Sequence, residues 1–305
     1  MSGEQLMTGP DPVVREEPAS RGCRDEYPRA AGAEVPAQDA GRAARGLDTS
    51  VPNVARIYDY LLGGKSNFRA DRDAAEQVLR EIPSSALSCR QNRAFLGRVV
   101  RALAEDAGIR QFIDIGCGLP AADSVHEIAQ RAAPGARVAC IDNDPVVISH
   151  AQHMLAAKSS GVIAVLADLR DPESITGSPR VRALIDFRQP VAILLFAVLH
   201  FVTDEEQPRE ALLHFADILA PGSRLAISHL THEGVPPGQS LAAQKIYRSA
   251  SAPIAPRSRD AILRLLTSLE LAVPGLVDID AWPQEPPEIG RRGPLAFYGG
   301  VARKT

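Results

Sequence analysis

The stretch QFIDIGCGLP, residues 111–120, joins a short apolar run to two glycines separated by one residue. A run of this length that ends in a glycine turn predicts a buried strand followed by a tight loop. Gly116 and Gly118 would let the loop turn sharply and let a ligand approach the backbone without meeting a Cβ atom. Asp114, two residues before the first glycine, favours a cationic ligand over a pyrophosphate, because its carboxylate would repel phosphate.

Acidic residues also follow the next two predicted strands. Asp142 and Asn143 come directly after a strand predicted at residues 137–141, about 25 residues past the glycines, where a carboxylate can accept both hydroxyls of a ribose. Asp168 and Leu169 follow the third predicted strand and suit an adenine ring, the carboxylate accepting from the exocyclic amine and the leucine packing on the ring face. Three acidic residues at the ends of three consecutive parallel strands predict an adenosine site.

Each of these features also has a purely structural interpretation. The glycines can be a plain turn between strand and helix, and Asp168 can cap a loop. Asp144 is followed by Pro145, a pair typical of a helix N-cap with proline in the first helical position. One of the carboxylates after the second strand is therefore expected to be structural.

The chain beyond residue 109 alternates predicted strands and helices, which indicates an α/β fold with a mostly parallel, seven-stranded sheet. The continuous apolar character of the inner strands predicts helices on both faces. The strands are expected at residues 111–115, 137–141, 162–166, 191–196, 224–228, 271–279 and 295–302.

Two segments precede this Rossmann-like core at 109–305. Residues 1–48 are rich in Pro, Gly, Ala, Arg and Glu without periodicity, so we expect a disordered tail. Apolar residues at helical spacing over residues 49–108 predict an N-terminal helical segment, which completes one domain over 49–305.

The formal net charge of −3 over 305 residues lacks the excess of basic residues that binds nucleic acid, and it favours a small-molecule partner.

Four cysteines (Cys23, Cys89, Cys117 and Cys140) lack C-x-x-C spacing, so no metal site is expected. Reduced thiols suit a cytoplasmic protein. The N-terminus lacks the pattern of a signal peptide, and the longest apolar run, 191–199, is too short for a bilayer. The oligomeric state has no sequence signal.

These motifs resemble those of class I S-adenosylmethionine-dependent methyltransferases, in which D-x-G-x-G, the acidic end of strand two and A-D at strand three line the cofactor. More narrowly, the chain resembles the actinobacterial S-adenosyl methyltransferase family, formerly a domain of unknown function. The resemblance rests on PNVARIYDYLLGGKSNF, DIGCGLPAADSVHEIAQ, IDNDPVVISHA, ADLRDPESI and AVLHFV, and it runs from about residue 50 to the C-terminus. Ser66 and Cys117 depart from the family's usual Asp and Thr.

The resemblance implies that S-adenosylmethionine is the cofactor and that the YDYLLGGKSNF stretch folds over it as a lid. Its candidate cofactor contacts are Tyr58, Gly63, Gly64 and Asn67. Lys65 would be repelled by the sulfonium and would point outward or toward an anionic group such as the cofactor carboxylate. The structural alternative is a helix C-terminus followed by a polar loop.

The segment after strand four would face the transferred methyl group, with Ala197 as a cofactor contact and His200 as general base on the acceptor. His200 can instead be a hydrogen-bonded structural residue, and His229 carries the same ambiguity. The sequence thus predicts methyl transfer to an unidentified, small acceptor.

Two other functions compete with this prediction. Gly116-x-Gly118-x-x-Ala121 satisfies a loose dinucleotide fingerprint, so an NAD(P)-dependent oxidoreductase is one alternative. Asp114 before the glycines, Pro120 within the fingerprint and the lack of a Tyr-x-x-x-Lys pair disfavour it. A non-catalytic S-adenosylmethionine-binding regulator is the other alternative.

Overall fold

The computed structural model describes residues 48–120, 123–155, 161–283 and 297–305. Residues 1–47 of the expected N-terminal tail lie outside these ranges. The disorder of the tail and the domain boundary at residue 49 therefore stay predictions. No helix of the described chain is long and apolar enough to cross a membrane.

One sheet organises the described residues. Its strands are β1 (Gln111–Ile115), β2 (Arg137–Asp142), β3 (Val162–Leu166), β4 (Ala192–Phe196), β5 (Arg224–Leu230), β6 (Glu270–Leu271), β7 (Val277–Asp278) and β8 (Phe297–Arg303). The strand order is β3-β2-β1-β4-β5-β8-β6, and β7 also pairs with β8. The first five strands are parallel and β8 is antiparallel to β5. The predicted α/β fold with a mostly parallel sheet is confirmed.

The order reverses at β1, since β2 and β3 extend the sheet on one side and β4 and β5 on the other. Ligands of open α/β sheets bind outside the carboxyl ends of the strands at such a switch point. The loop after β1 therefore occupies the position where a ligand site is expected.

One predicted strand is wrong. Residues 271–279 form not one strand but two, β6 and β7, which both pair with β8. Pro274 has no N–H to donate to a ladder, and Gly275 has a φ of 90°, so the chain leaves the sheet between the two short strands. The described sheet thus has eight strands where the sequence predicted seven.

The helices lie on both faces of this sheet. They are α1 (Val54–Leu61), α2 (Arg69–Glu81), α3 (Ser85–Glu105), α4 (Val125–Ala132), α5 (Pro145–Leu155), α6 (Pro172–Thr176), α7 (Pro179–Leu184), α8 (Pro208–Ile218), α9 (Pro237–Tyr247) and α10 (Arg259–Leu265). Phe112 packs with α3, α4 and α5 on one face, while its neighbour Ile113 packs with α6, α7, α8 and α10 on the other. This alternation is the period of two expected of a buried strand.

The helical segment before the core is confirmed, and it carries a small core of its own. Ile57, Leu61 and Cys89 are buried there, with Tyr247 packed against them. Tyr247 comes from α9, which packs against α2 and was not predicted from the sequence. The N-terminal helices and the insertion after β5 therefore form one layer.

Candidate active site

The glycine loop after β1 has the conformation that its sequence predicts. Gly116 and Gly118 have φ values of 71° and 67°, in the left-handed region that favours glycine. A Cβ atom on Gly116 would collide with the side chain of Val198, whereas one on Gly118 would meet no atom within 4 Å. The loop is therefore tightly packed against Val198 at Gly116, whereas space remains beside Gly118.

Alanine at the two glycines should separate folding from binding. We expect Gly118→Ala to cost about 1–2 kcal/mol of unfolding free energy, from left-handed strain alone, and to block ligand approach. Gly116→Ala adds the collision with Val198 and should cost more. Urea unfolding and titration with S-adenosylhomocysteine measure both effects. Equal stability losses in the two variants would contradict the geometry.

Asp142 connects this loop to the helix that follows β2. Its Oδ2 accepts a hydrogen bond from the Gly118 N–H at 3.0 Å, and its Oδ1 accepts one from the Asp144 N–H at 2.9 Å. Desolvation by burial raises the pKa of Asp142 to about 6 in spite of these bonds. Each oxygen retains a second lone pair for a ligand hydroxyl.

Asp114 brings a second buried carboxyl group to the same edge of the sheet. Desolvation raises its pKa well above the ordinary value, the neighbouring Cys140 adds to this, and the charge of Arg93 acts in the opposite direction. A buried carboxylate of this kind is stabilised by a cation. The edge formed by Asp114 and Asp142 therefore favours a positively charged ligand.

Asp144 has the structural role that the sequence predicted. Its Oδ1 accepts a hydrogen bond from the Val146 N–H at 2.8 Å, which caps α5. Its Oδ2 accepts one from Arg56 Nη1 at 3.3 Å, which joins the core to the N-terminal helices.

Asp168 binds neighbouring side chains. Arg170 donates to both of its oxygens at 2.9 and 2.6 Å, and Asn143 Nδ2 donates at 3.0 Å. Partial burial would raise the pKa of Asp168, but the bonds from Arg170 and Asn143 outweigh it and lower the pKa to about 2. Leu169 is buried in the core. The contacts of these three predicted site residues with an adenosine stay predictions.

The lid loop is shaped by a residue that we did not predict, Asp59. Its Oδ2 accepts hydrogen bonds from Ser66 N at 3.0 Å and from Asn67 Nδ2 at 2.7 Å. A Cβ atom on Gly64 would collide with the same carboxylate, and Gly63 has a φ of 83°. The GGKSN sequence therefore wraps around Asp59, which gives Gly64 and Asn67 a structural role.

The phenol of Tyr58 bridges α1 and α3. It donates to the Cys89 carbonyl at 3.1 Å and accepts from Asn92 Nδ2 at 2.9 Å. Asn92 Oδ1 is buried and has no hydrogen-bond partner among the described residues. A buried acceptor of this kind is costly unless a ligand or water satisfies it. Lys65 is exposed, and its position relative to the sulfonium of a bound cofactor stays a prediction.

A buried ion cluster fastens the lid to the core. Arg56 lies on the buried face of α1, and its Nε donates to Asp71 Oδ2 at 2.8 Å while its Nη1 reaches Asp144. Asp71 also accepts the backbone N–H groups of Asn53 and Phe68, both at 2.8 Å. An arginine between apolar residues of a predicted helix was the only sequence signal for this cluster.

The backbone after β4 is strained at the predicted cofactor contact. Ala197 has a φ of 52°, and its N–H donates to the carbonyl and the hydroxyl oxygen of Ser228 at 3.1 and 2.9 Å. Strain of this type in a non-glycine residue is common at ligand sites. Val198, the next residue, covers Gly116.

His200 is buried beside this turn. Its Nδ1 accepts a hydrogen bond from the Leu230 N–H at 3.3 Å, which leaves the proton of the neutral ring on Nε2. Desolvation lowers the pKa of His200 well below its ordinary value, with smaller effects from His229 and Arg257. His200 is therefore neutral, and its role as general base stays a prediction.

His229 has a structural partner for each ring nitrogen. Its Nδ1–H donates to the Leu230 carbonyl at 2.7 Å, and its Nε2 accepts from Arg257 at 2.9 Å. Arg257 also binds Asp204 at 2.6 Å and the Val202 carbonyl at 2.8 Å. This network fixes the segment that follows β4.

Protonation of His229 should cost stability. Burial lowers its pKa from 6.5 to about 3, so its contribution is complete above pH 6.5 and declines as the pH falls below 6.5. Between about pH 8 and about pH 5, wild type should lose about 2 kcal/mol more unfolding free energy than His229→Gln. His153→Gln, at an exposed position, should match wild type in urea unfolding. Equal pH dependence in wild type and His229→Gln would contradict a buried neutral ring.

Aromatic side chains line the approach to this segment. Phe201 lies 4.5 Å from His200 and 6.1 Å from Tyr247, measured between ring centroids. Burial raises the pKa of the Tyr58 and Tyr247 phenols, yet Tyr58, Tyr247 and Phe201 all retain accessible surface. Phe201 therefore neighbours both the buried His200 ring and Tyr247, and Phe201 and Tyr247 are both partly exposed.

The predicted residues thus fall into two groups. Asp114, Gly116, Gly118, Asp142 and Ala197 come together at the carboxyl ends of β1, β2 and β4. Asn143 and Asp168 bind one another beside Arg170, while Tyr58, Gly64 and Asn67 form hydrogen bonds within the N-terminal helical segment. Sequence reasoning missed the roles of Arg56, Asp59 and Asn92 in this region.

The comparisons with known proteins agree with this geometry. Residues 40–305 match the model of the S-adenosyl methyltransferase family. The crystal structure of a DUF574 family protein from Streptomyces avermitilis MA-4680 is 38% identical with a TM-score of 0.80, over 85% of this chain and 99% of that chain. That of a putative methyltransferase from Thermobifida fusca YX is 39% identical with a TM-score of 0.78, over 86% and 98%.

A comparison with curated proteins gives no match. The family model covers well over half of the chain and two solved structures exceed 30% identity, whereas nothing supports an oxidoreductase. The chain therefore belongs to the S-adenosyl methyltransferase family and is an S-adenosylmethionine-dependent methyltransferase with a Rossmann-like fold.

Proposed function

We propose that this enzyme holds S-adenosylmethionine between the glycine loop and the lid and methylates a small molecule beside the aromatic side chains of Phe201 and Tyr247. The observation that carries the proposal is the position of Asp114 and Asp142 beside Gly118, at the switch point of the sheet. Space above Gly118 admits a ligand, and the two carboxyl groups favour a cationic one.

The residues present fit the cofactor. Asp142 has lone pairs for the ribose hydroxyls, and Asp114 is placed to offset the positive charge of the ligand. Asn92 Oδ1, which has no partner within the described chain, offers an acceptor for an ammonium group. Asn92 precedes Arg93, whose charge acts on Asp114, so this acceptor lies near the acidic edge.

S-adenosylmethionine supplies an electrophilic methyl group, so the protein's main task is to hold the acceptor in line with it. His200, with its proton on Nε2, can donate a hydrogen bond that orients the acceptor. To act as a base through Nδ1 it would first have to release the Leu230 N–H. We therefore assign His200 a positioning role toward the acceptor.

We place the acceptor beside Phe201, Tyr247 and His200. Burial keeps both ionisable rings uncharged, because it lowers the pKa of His200 and raises that of Tyr247. An uncharged small molecule suits these walls better than a polyanion. The net charge of −3 likewise argues against a nucleic-acid acceptor. The free thiols of Cys89, Cys117 and Cys140 suit a cytoplasmic location.

Methyl transfer can be tested before the acceptor is identified. Wild type is incubated with S-adenosylmethionine labelled in its methyl group and a protein-free, low-molecular-weight fraction of an actinobacterial extract. We expect label in a new small product, and none with Asp142→Ala. Tight cofactor binding without any product from such fractions would favour the regulator instead.

A further inference from the structure

An open cleft of about 470 Å³ is lined by residues of α8 and α10. Both helices pack on the face of the sheet that carries Ile113, whereas α3 covers the opposite face. The described residues that line the cleft include none that we place at the cofactor or beside Phe201 and Tyr247. Small-molecule sites typically have volumes of about 300–1,000 Å³. The cleft is therefore a second region of the molecule with the size of a ligand site.

The charges of this cleft do not balance. Three arginines and one aspartate line it, namely Arg209, Arg257, Arg264 and Asp204. The Asp204 carboxylate binds Arg257, whose Nε and Nη2 donate to its Oδ1 at 3.0 and 2.6 Å. The other N–H groups of Arg257 donate to His229 and to two backbone carbonyls. The excess positive charge of the cleft therefore belongs to Arg209 and Arg264.

These two arginines lack close acidic partners within the described part of the chain. Arg209 Nη1 lies 4.0 Å from Glu210 Oε1, and Arg209 Nη2 donates to Thr267 Oγ1 at 3.4 Å, so both contacts are long. The Arg264 guanidinium has no ion pair or hydrogen bond with any described residue. Arg209 also stands in the first turn of α8, where the helix dipole repels a cation and attracts an anion. An anion in the cleft would satisfy both guanidinium groups and the helix end.

We propose that this cleft is a binding site for a small phosphate monoester. A guanidinium group donates parallel hydrogen bonds to two phosphate oxygens, and two such groups match the charge of a dianion. The Thr267 hydroxyl supplies a further donor at the same place. Ala261 and Leu265 give the cleft an apolar wall, and its volume exceeds what a phosphate group alone would fill. The organic part of the ester contacts this wall.

The test is a titration of the full-length protein with phenyl phosphate and with inorganic phosphate, followed by phosphorus NMR at low ionic strength. We expect saturable binding of phenyl phosphate, several-fold tighter than that of inorganic phosphate, because only the ester buries apolar surface. Arg209→Gln and Arg264→Gln should each weaken phenyl phosphate binding about ten-fold, as expected for the loss of a charge-assisted hydrogen bond. Arg188→Gln removes an exposed arginine outside the cleft, which pairs with Asp186, and should bind like wild type.

Arg209 and Arg264 are both exposed, so we expect their variants to fold, and thermal unfolding checks this. Wild type that shows no saturable binding of phenyl phosphate would overturn the proposal, and so would equal affinities in wild type and the double variant Arg209→Gln/Arg264→Gln. Inorganic phosphate that binds as tightly as phenyl phosphate would overturn the assignment to an ester. None of these readouts involves S-adenosylmethionine, so the result is independent of the proposed function.

Discussion

Replacing Arg56 with alanine is expected to destabilise the protein by about 3–5 kcal/mol, because it leaves two buried carboxylates without their shared cation. Asp71 and Asp144 are both nearly inaccessible and both bind the Arg56 guanidinium, at 2.8 and 3.3 Å. The ring of Phe68 lies 5.3 Å from the guanidinium carbon and loses its cation contact as well. Chemical unfolding of wild type and variant measures the loss.

Arg69→Ala is the matched control. Arg69 pairs with Asp73 at 3.6 Å within one helix, but the two side chains are 89% and 59% exposed. Such a pair contributes about 0.5 kcal/mol or less. Hydrogen exchange would show whether α1 and α2 open before the rest in Arg56→Ala. If Arg56→Ala lowers the free energy of unfolding by less than about 1 kcal/mol, or by no more than Arg69→Ala does, the buried ion pairs of Arg56 do not stabilise the protein as proposed.

The second large effect concerns the cofactor. Asp142→Ala should weaken S-adenosylhomocysteine binding about 100-fold or more, equivalent to about 2.7 kcal/mol. The variant removes the proposed ribose acceptor and also leaves the Gly118 N–H without its carboxylate. Asp142→Asn keeps the size of the side chain but turns an NH₂ group toward one of two N–H donors, so we expect it to bind weakly too.

Asp186→Ala is the control for this experiment. Asp186 lies before β4, at the opposite edge of the sheet, and its carboxylate accepts from Arg188 at 2.9 Å. Its removal should leave the affinity unchanged. If the affinity of Asp142→Ala for S-adenosylhomocysteine is within ten-fold of the wild-type affinity, Asp142 is not a cofactor-binding residue.

The core of the fold was predictable because its signals are local. β1 and β3 begin and end at the predicted residues, because a glycine directly follows β1 and another directly precedes β3. Asp144 as the cap of α5 was equally accessible, because a cap depends only on adjacent residues. The helices α6 and α7 were missed because five or six residues are too few to show a helical period.

The site was only partly predictable because much of it depends on distant contacts. Asp59 organises the lid loop, and Arg56 meets Asp144 across 88 residues of sequence, which no local pattern indicates. The bond of Asp168 with Arg170 was visible in sequence as two nearby charges, yet its bidentate geometry required the fold. Tyr58 and Asn67, which the family resemblance implies, form hydrogen bonds within the N-terminal helical segment, and their contacts with the cofactor stay predictions.

The most direct test of the central claim is a calorimetric titration of the reduced, full-length protein with S-adenosylmethionine, S-adenosylhomocysteine and NADH in parallel. We predict micromolar binding of the first two ligands, its loss in Asp142→Ala, and no binding of NADH. Binding of NADH alone, or cofactor binding that persists unchanged in Asp142→Ala, would contradict the site described at the ends of β1 and β2.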